Sequence, residues 1–141
     1  MTAAATSAVD LMREIWEPIE RGEREDLGAF YDALDDEVAF NFPIGELNGK
    51  QAVIAYFENA GETLEFSPFE KPLEYFGDGE RAVLVGDEII KVKETGDAHK
   101  AEWAWVVQVR DGRITHISEI QDVSAFAGPL AQMIARSQAA A

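Results

Sequence analysis

His99 and His116 are the only side chains in this chain that ordinarily titrate near neutral pH, and cysteine is absent altogether. Thiolate nucleophiles, thiolate metal sites and disulfides are therefore excluded together. Glu94, Asp97 and His99 group metal-ligating types within a few residues. Acidic residues are common in turns, however, and no second histidine lies nearby, so no metal is expected. His99 alternates with Ala101, Trp103, Trp105 and Val107, which makes it a candidate proton carrier beside an aromatic face, although the adjacent Thr95-Gly96-Asp97 turn favours exposure. After the Asp111-Gly112 turn, Thr115, Ile117, Glu119 and Gln121 share one parity, and Ile114, His116, Ser118 and Ile120 share the other. Composition does not choose which set faces inward, and a single bulge would reverse the order beyond it.

Aromatic residues surround these candidates. Trp16, Phe40, Phe42, Tyr56, Phe57, Trp103 and Trp105 form an inventory large for one small core, and ligand pockets are commonly lined in this way. Two neighbouring inward indoles are hard to pack solidly against short helices, so Trp103 and Trp105 are expected to line a pocket. Phe30 and Tyr31 are assigned to the core.

The elements that position these groups follow from periodicity. Leu11, Met12, Ile15, Trp16 and Ile19 mark one face of a helix begun by Ser7 or Asp10 and ended by Gly22. Asp26 caps a second, short helix bearing Leu27, Phe30, Tyr31 and Leu34, before an acidic turn at Asp35-Asp36. Val38, Phe40 and Phe42 alternate as a strand that stops at Pro43, and a turn passes through Gly45 and Gly49. Val53, Ile54, Tyr56 and Phe57 predict a third helix from Lys50 to about Ala60. Short strands follow near Glu65 to Phe66 and near Leu73 to Phe76. Arg81 to Lys93, His99 to Arg110 and Arg113 to Gln121 then read as an antiparallel meander. Val123 to Ile134 reads as a closing helix or coil interrupted at Gly128-Pro129, with residues 1–6 and 137–141 frayed. The expected fold is one α+β domain over residues 1–141, a cone-shaped curved sheet roofed by three helices that leave a pocket.

The 141 residues suffice for one core, and 47% hydrophobic content is ordinary for a globular chain. Twelve Lys and Arg against 27 Asp and Glu give a formal charge of -15, which disfavours nucleic acid and anionic membrane surfaces as partners. The start MTAAATSAVD lacks a basic segment leading into an apolar run, and no apolar stretch of about 18 residues occurs. A cytoplasmic location is expected.

The ordered segments GERED, FYDALDDEVAFNFP, NGKQAVIAYF, VLVGDE and TGDAHKAEWAWVVQVRDGRITHISEIQD resemble the nuclear-transport-factor-2-like superfamily, in particular its SnoaL-like branch. That superfamily holds ketosteroid isomerases, polyketide cyclases, limonene-epoxide hydrolases, dehydratases and proteins that only bind ligands or partners, so the fold does not name a reaction. Laid without gaps over residues 82–122, the chain resembles the epoxide hydrolases. The resemblance puts their two catalytic carboxylates on Glu88 and Glu119 and their water-holding asparagine on Asn41. Their bridging arginine falls on Gly86 and their tyrosine on Ala39, which leaves the charge relay incomplete. The ketosteroid isomerases' aspartate, acidic oxyanion donor and tyrosine fall on Asn41, Trp105 and Ile15, so none is kept.

If Glu88 and Glu119 share an apolar pocket, both cannot readily ionise, and one holding a proton beside one accepting a proton suits general acid/base catalysis. Lys91 or Arg81 could supply the missing positive charge, and either glutamate could instead face solvent. Asp122 is expected to cap Ser124 to Phe126. The resulting expectation is a cofactor-independent acid/base enzyme of isomerase, cyclase, dehydratase or epoxide-hydrolase type, acting on a small hydrophobic, oxygen-bearing molecule. Glu119, Glu88 and Asn41 would act on it, and Trp16, Phe40, Phe42, Tyr56, Phe57, Trp103, Trp105, Ile117 and His99 would line its pocket. The alternatives are a non-catalytic ligand-binding protein and an interaction module. A homodimer through outward-facing Ala104, Val106 and Ile120 is the expected assembly.

Overall fold

Ser7 opens the first helix, α1 (Ala8–Glu20), by accepting a hydrogen bond from the Asp10 N–H at 3.1 Å. Such a cap contributes about 1 kcal/mol. Ala8, Met12, Ile15 and Trp16 form its buried stripe. The structure is a computed structural model, and it describes residues 7–141. The fraying expected of residues 1–6 lies outside the described residues.

Asp26 Oδ1 accepts from Gly28 N at 2.9 Å to start the short α2 (Gly28–Ala33), which seats Phe30 in the core. The chain then passes directly into β1 (Leu34–Phe42), so the acidic turn expected at Asp35-Asp36 is already strand. Its residues occupy an irregularity between Leu34, opposite Ile114, and Ala39, opposite His116. β2 (Gly45–Asn48) folds back on β1, where only a turn was expected. With Leu47 as its one buried residue, β2 carries no alternation for a sequence reading to detect. α3 (Lys50–Asn59) follows as predicted.

The remaining strands are β3 (Leu64–Phe66), β4 (Glu74–Asp78), β5 (Arg81–Val92), β6 (Ala98–Arg110) and β7 (Arg113–Gln121). They complete a seven-stranded mixed sheet of order β2-β1-β7-β6-β5-β3, with β4 also on β5. Among the described strands only β1 and β7 pair in parallel. β4 covers Arg81 to Val85 and β3 covers Ile90 to Val92, which leaves the middle of that edge to the strap of residues 67–73. The strap takes over the pairing through Ser67 N to Ile89 O (2.9 Å), Ile89 N to Ser67 Oγ (2.8 Å) and Glu70 N to Asp87 O (3.3 Å). Edge groups that would otherwise be orphaned are satisfied.

Alternation sorts the meander as its sequence implies on β6, where Ala101, Trp105, Val107 and Val109 are buried. On β7 the register slips: Ile114 faces Val109, while His116 faces Gln108. Thr115 is the extra residue, its hydroxyl donating to Gln108 O at 3.3 Å. Ile114 therefore joins Ile117 and Glu119 on the inner side, which corrects the expected grouping of Ile114 with His116, Ser118 and Ile120 and of Thr115 with Ile117 and Glu119.

The roof has a fourth member, correcting the expected three. α4 (Ala127–Ala139) packs against α3 and β2. Gly128-Pro129 does not interrupt it, because proline sits in the first turn, where its missing N–H would have no helical partner. Residues 137–139, expected to fray, are helical. Ser137 Oγ donates to Met133 O at 2.7 Å, and the Gln138 amide bonds Asn48 both ways, accepting from its N–H at 2.7 Å and donating to its carbonyl at 3.3 Å. No helix among the described residues is long and apolar enough to cross a membrane.

Candidate functional site

The helices roof the concave sheet without filling it. A cavity of about 270 Å³ remains, lined by Trp16 of α1, Leu27, Tyr56 and Phe57 of α3, Ala60, Gly61, Phe66 of β3, Phe69 of the strap, Glu88 of β5, Trp103 and Trp105 of β6 and Glu119 of β7. Its mouth lies between residues 19–27 and 66–72, where an outer depression shares Trp16, Leu27, Phe66, Phe69 and Glu88 with it. The inner wall is a continuous aromatic cluster around Trp105, whose ring meets Trp16 edge-on at 5.6 Å, Phe40 at 5.2 Å and Trp103 at 5.7 Å.

Two carboxyl groups enter this wall in unlike settings. The Trp105 indole N–H donates to Glu119 Oε1 at 3.1 Å. Burial raises the Glu119 pKa above the ordinary carboxylate value, and this hydrogen bond opposes the rise. Glu88 has no such donor among the described residues. Burial, then the charges of Glu119 and Asp87, push its pKa up to about 7. Tyr56, buried between the helices and the sheet, is raised above its ordinary phenol value by burial and then by Glu119 and Glu88, so it remains a neutral phenol. The cavity thus holds one carboxyl group that accepts an N–H hydrogen bond and a second, without such a donor, whose pKa is pushed up to about 7.

Of the residues expected at the site, Glu88, Glu119, Trp16, Tyr56, Phe57, Trp103 and Trp105 are brought together here. Asn41 is not. It lies between Phe40 and Phe42, both buried on the inner side, so strand alternation turns it to the outer face, opposite Glu46 and Ser118. Phe40, Phe42 and Ile117 are packed core and not cavity wall. His99 sits at the start of β6 beside a separate depression with Asp122 and Phe126, and His116 is exposed. Asp122 accepts from Ser124 N at 3.0 Å, the capping role expected of it. Lys91 and Arg81 are exposed and absent from the cavity wall. Leu27, Ala60, Gly61, Phe66 and Phe69 were missed, since turns and an irregular strap carry no periodic signal. Among the described residues no metal-ligating group of three or more acidic, His or Cys side chains is present.

At Gly86, where the resemblance places a bridging arginine, the packing leaves no room for a side chain. A Cβ at this position would stand 2.6 Å from Trp103 Cζ2, 2.9 Å from its Cε2 and 2.7 Å from Leu73 Cδ2. The Trp103 ring occupies the space that a side chain at residue 86 would need. Gly86→Ala is therefore expected to destabilise the fold by about 1–3 kcal/mol in denaturant unfolding and to shift the tryptophan emission. Unchanged stability and emission would show that this close packing does not set the wall.

Residues 14–117 match the family model described as a SnoaL-like domain. No curated protein matches the chain. Among solved structures, an NTF2-like protein from Burkholderia xenovorans aligns with a TM-score of 0.69 at 23% identity, covering 92% of this chain and 94% of that one. A protein from Mesorhizobium loti, provisionally named a SnoaL-like polyketide cyclase, aligns at 0.69 and 18% identity over 81% of this chain and 98% of its own. One from Bacillus subtilis, provisionally named an isomerase, aligns at 0.65 and 20% identity over 86% and 93%. At these identities the likenesses show the shared fold.

Proposed function

Since the chain belongs to the SnoaL-like domain family, whose NTF2-like fold is common to proteins of differing activity, we propose from its own cavity that it is an acid/base enzyme acting on a small, mainly apolar, oxygen-bearing molecule. The observation that carries this reading is the pair of carboxyl groups of unlike environment in one aromatic cavity. Glu119, which accepts the Trp105 N–H, is the base that takes a proton from carbon beside a carbonyl. Glu88, protonated near neutral pH, gives its proton to the carbonyl oxygen, producing the enol. Where the substrate carries a double bond one carbon further along, return of the proton to the far carbon of the resulting dienol, with the enol O–H proton going back to Glu88, completes an isomerisation; attack by the enol carbon on a second carbonyl of the same molecule, whose oxygen takes the proton held by Glu119 while the enol O–H proton returns to Glu88, gives a cyclisation. The provisional names of two structural neighbours, a cyclase and an isomerase, are consistent with either outcome.

An assay that does not depend on the natural substrate tests the proposal. β-Tetralone, a ketone with acidic protons beside its carbonyl, should lose them to heavy water faster with protein than in buffer alone, as followed by proton NMR. Exchange at the buffer rate would overturn the proposal. It would favour ligand binding without turnover, a second reading supported by the lack of a cationic bridge at Gly86.

We also propose that two copies pair through the outer sheet face. Phe76, Val83 and Val106 form one apolar row across it, and Val85, Ala104 and Ile120 form the next. Ile120 is 61% exposed and Phe76 54%. A two-fold contact would bury both rows against themselves. Ile120→Asp, placing like charges in that contact, should convert a sedimenting dimer into a monomer. A wild type that sediments as a monomer at high concentration would refute the pairing.

A further inference from the structure

We propose that the two copies pair with their strands running in opposite directions, the two-fold axis lying across the sheet, so that Arg81 of each copy meets the partner's Glu102. The inference rests on the sheet-face pairing proposed above and adds its orientation and the contacts that fix it.

Sheet register lays the outer face out in rows. Phe76, Val83 and Val106 form one apolar row, and Val85, Ala104 and Ile120 form the next. Arg81 and Gln108 stand one row beyond the first, followed by His116 on β7. Asp87 and Glu102 stand one row beyond the second. The apolar patch therefore has a basic end and an acidic end, equally far from its centre. Arg81 and Glu102 are both exposed, and neither enters an ion pair among the described residues. Half a turn about an axis between the apolar rows, perpendicular to the strands, lays each apolar row on the other and each charged end on its opposite. Arg81 then faces the partner's Asp87 and, one strand spacing of about 4.8 Å to the side, the partner's Glu102. Asp87 is only 4% exposed and lies beneath Lys71, whose Nζ is 3.8 Å away, so Glu102 makes the contact and Asp87 adds to the field. Asp78, beside Arg81 in register, comes by the same rotation to the partner's Lys71.

The other simple setting, an axis along the strands, lays each row on itself. It would bring Asp87 and Glu102 against the partner's Glu102 and Asp87, a row of carboxylates facing its own copy. Like charges so placed oppose association, and Lys100, the neighbouring cation on β6, is already held 3.3 Å from Glu70. Opposed strands turn the same acidic row into an attraction for Arg81.

Analytical ultracentrifugation of the full chain in about 0.1 M salt, where charge is screened beyond about 10 Å, tests the orientation. Arg81→Glu and Glu102→Arg should each weaken the dimer by about tenfold, because each sets like charges in both symmetry-related contacts. Mixed in equal amounts, the two variants should form a heterodimer about tenfold tighter than either homodimer, since both contacts of the mixed pair join unlike charges. Recovery in the mixture comes only from folded chains, and thermal melts of each variant check the same point. Should a swap disturb the fold, Arg81→Gln and Glu102→Gln replace it, each expected to weaken pairing by about threefold. Glu102→Arg pairing more tightly than the wild type would favour the axis along the strands and overturn the proposal. Single variants that pair like the wild type, or a mixture no tighter than its components, would overturn it too. Sheet-face pairing itself would then still stand if Ile120→Asp dissociates the dimer. A wild type that stays monomeric would remove both.

Discussion

Glu119→Gln should slow protein-catalysed exchange of β-tetralone protons by about a hundredfold to ten-thousandfold, the usual contribution of a positioned base. The substitution keeps the side chain's shape, and its amide oxygen can still accept the Trp105 N–H that Glu119 Oε1 accepts at 3.1 Å. The wall and its aromatic packing should survive, but a neutral amide cannot take a proton from carbon. The prediction is thus about chemistry and not about folding. Thermal unfolding should show the variant at least as stable as the parent, because burial already disfavours the charge at this position. A variant that exchanges the ketone at the wild-type rate would remove Glu119 as the base. A variant that loses exchange only because it unfolds would be exposed by the melting curve. β-Tetralone binding by Glu119→Gln separates loss of binding from loss of proton transfer.

Glu88→Gln is expected to flatten part of the pH dependence of stability. The Glu88 pKa is raised from 4.5 to about 7 in the folded protein, chiefly by burial. Between these values the folded chain keeps a proton that the unfolded chain has released, so stability falls as pH rises through this window. The stabilisation is fully present below about pH 4.5 and gone above about pH 7. A shift of this size corresponds to about 3 kcal/mol, reduced to the extent that water reaches the carboxyl through the mouth. Glutamine mimics the protonated form at every pH. The variant should therefore melt higher than the wild type at about pH 8, by roughly 5–10 °C for a domain of this size, with the gap closing towards about pH 4.5. Comparing the two proteins at each pH cancels the titration of the other acidic side chains. Parallel melting curves would mean that Glu88 titrates as an ordinary surface carboxylate, and its role as proton donor would fall.

The two substitutions probe one electrostatic arrangement from opposite sides. Glu119 accepts a hydrogen bond from the neighbouring strand that opposes the rise burial imposes on its pKa, since Trp105 and Glu119 stand directly opposite in the sheet register. Glu88 lies beyond β6, opposite Ala101, where no side-chain donor meets it among the described residues. In the proposed mechanism the division of labour between acid and base comes from this unequal supply of hydrogen bonds.

Much of the fold was legible because its signals are local. The apolar stripe of α1, the cap at Ser7, the helix beginning at Lys50 and the β5-β6-β7 meander all follow from residues within a few positions of one another. The inward set on β6 was legible for the same reason, and it carries Trp103 and Trp105 to the cavity. Glu88 and Glu119 came from the family resemblance, with the Ile117 alternation consistent for Glu119.

Other features were settled by contacts between distant segments. Asn41 seemed suited to orient a guest, yet its orientation depends on which side of β1 is buried, and Phe40 and Phe42 claim the inner side. The slip at Thr115 is invisible in β7 alone, because a bulge exists only relative to the partner strand. Phe69 reaches the wall on a strap that replaces a missing strand along β5, and the strap's place is fixed by hydrogen bonds to Ile89 and Asp87. At Gly86 the resemblance marks only a missing arginine, and the Trp103 ring lying across the glycine is visible only in the fold. By itself the chain determined most of its elements and the face that β6 buries, because backbone periodicity and hydrophobic burial act over a few residues. The tertiary structure decided what surrounds the cavity and which of its two carboxyl groups receives a hydrogen-bond donor, because burial and hydrogen bonding there depend on groups far apart along the chain.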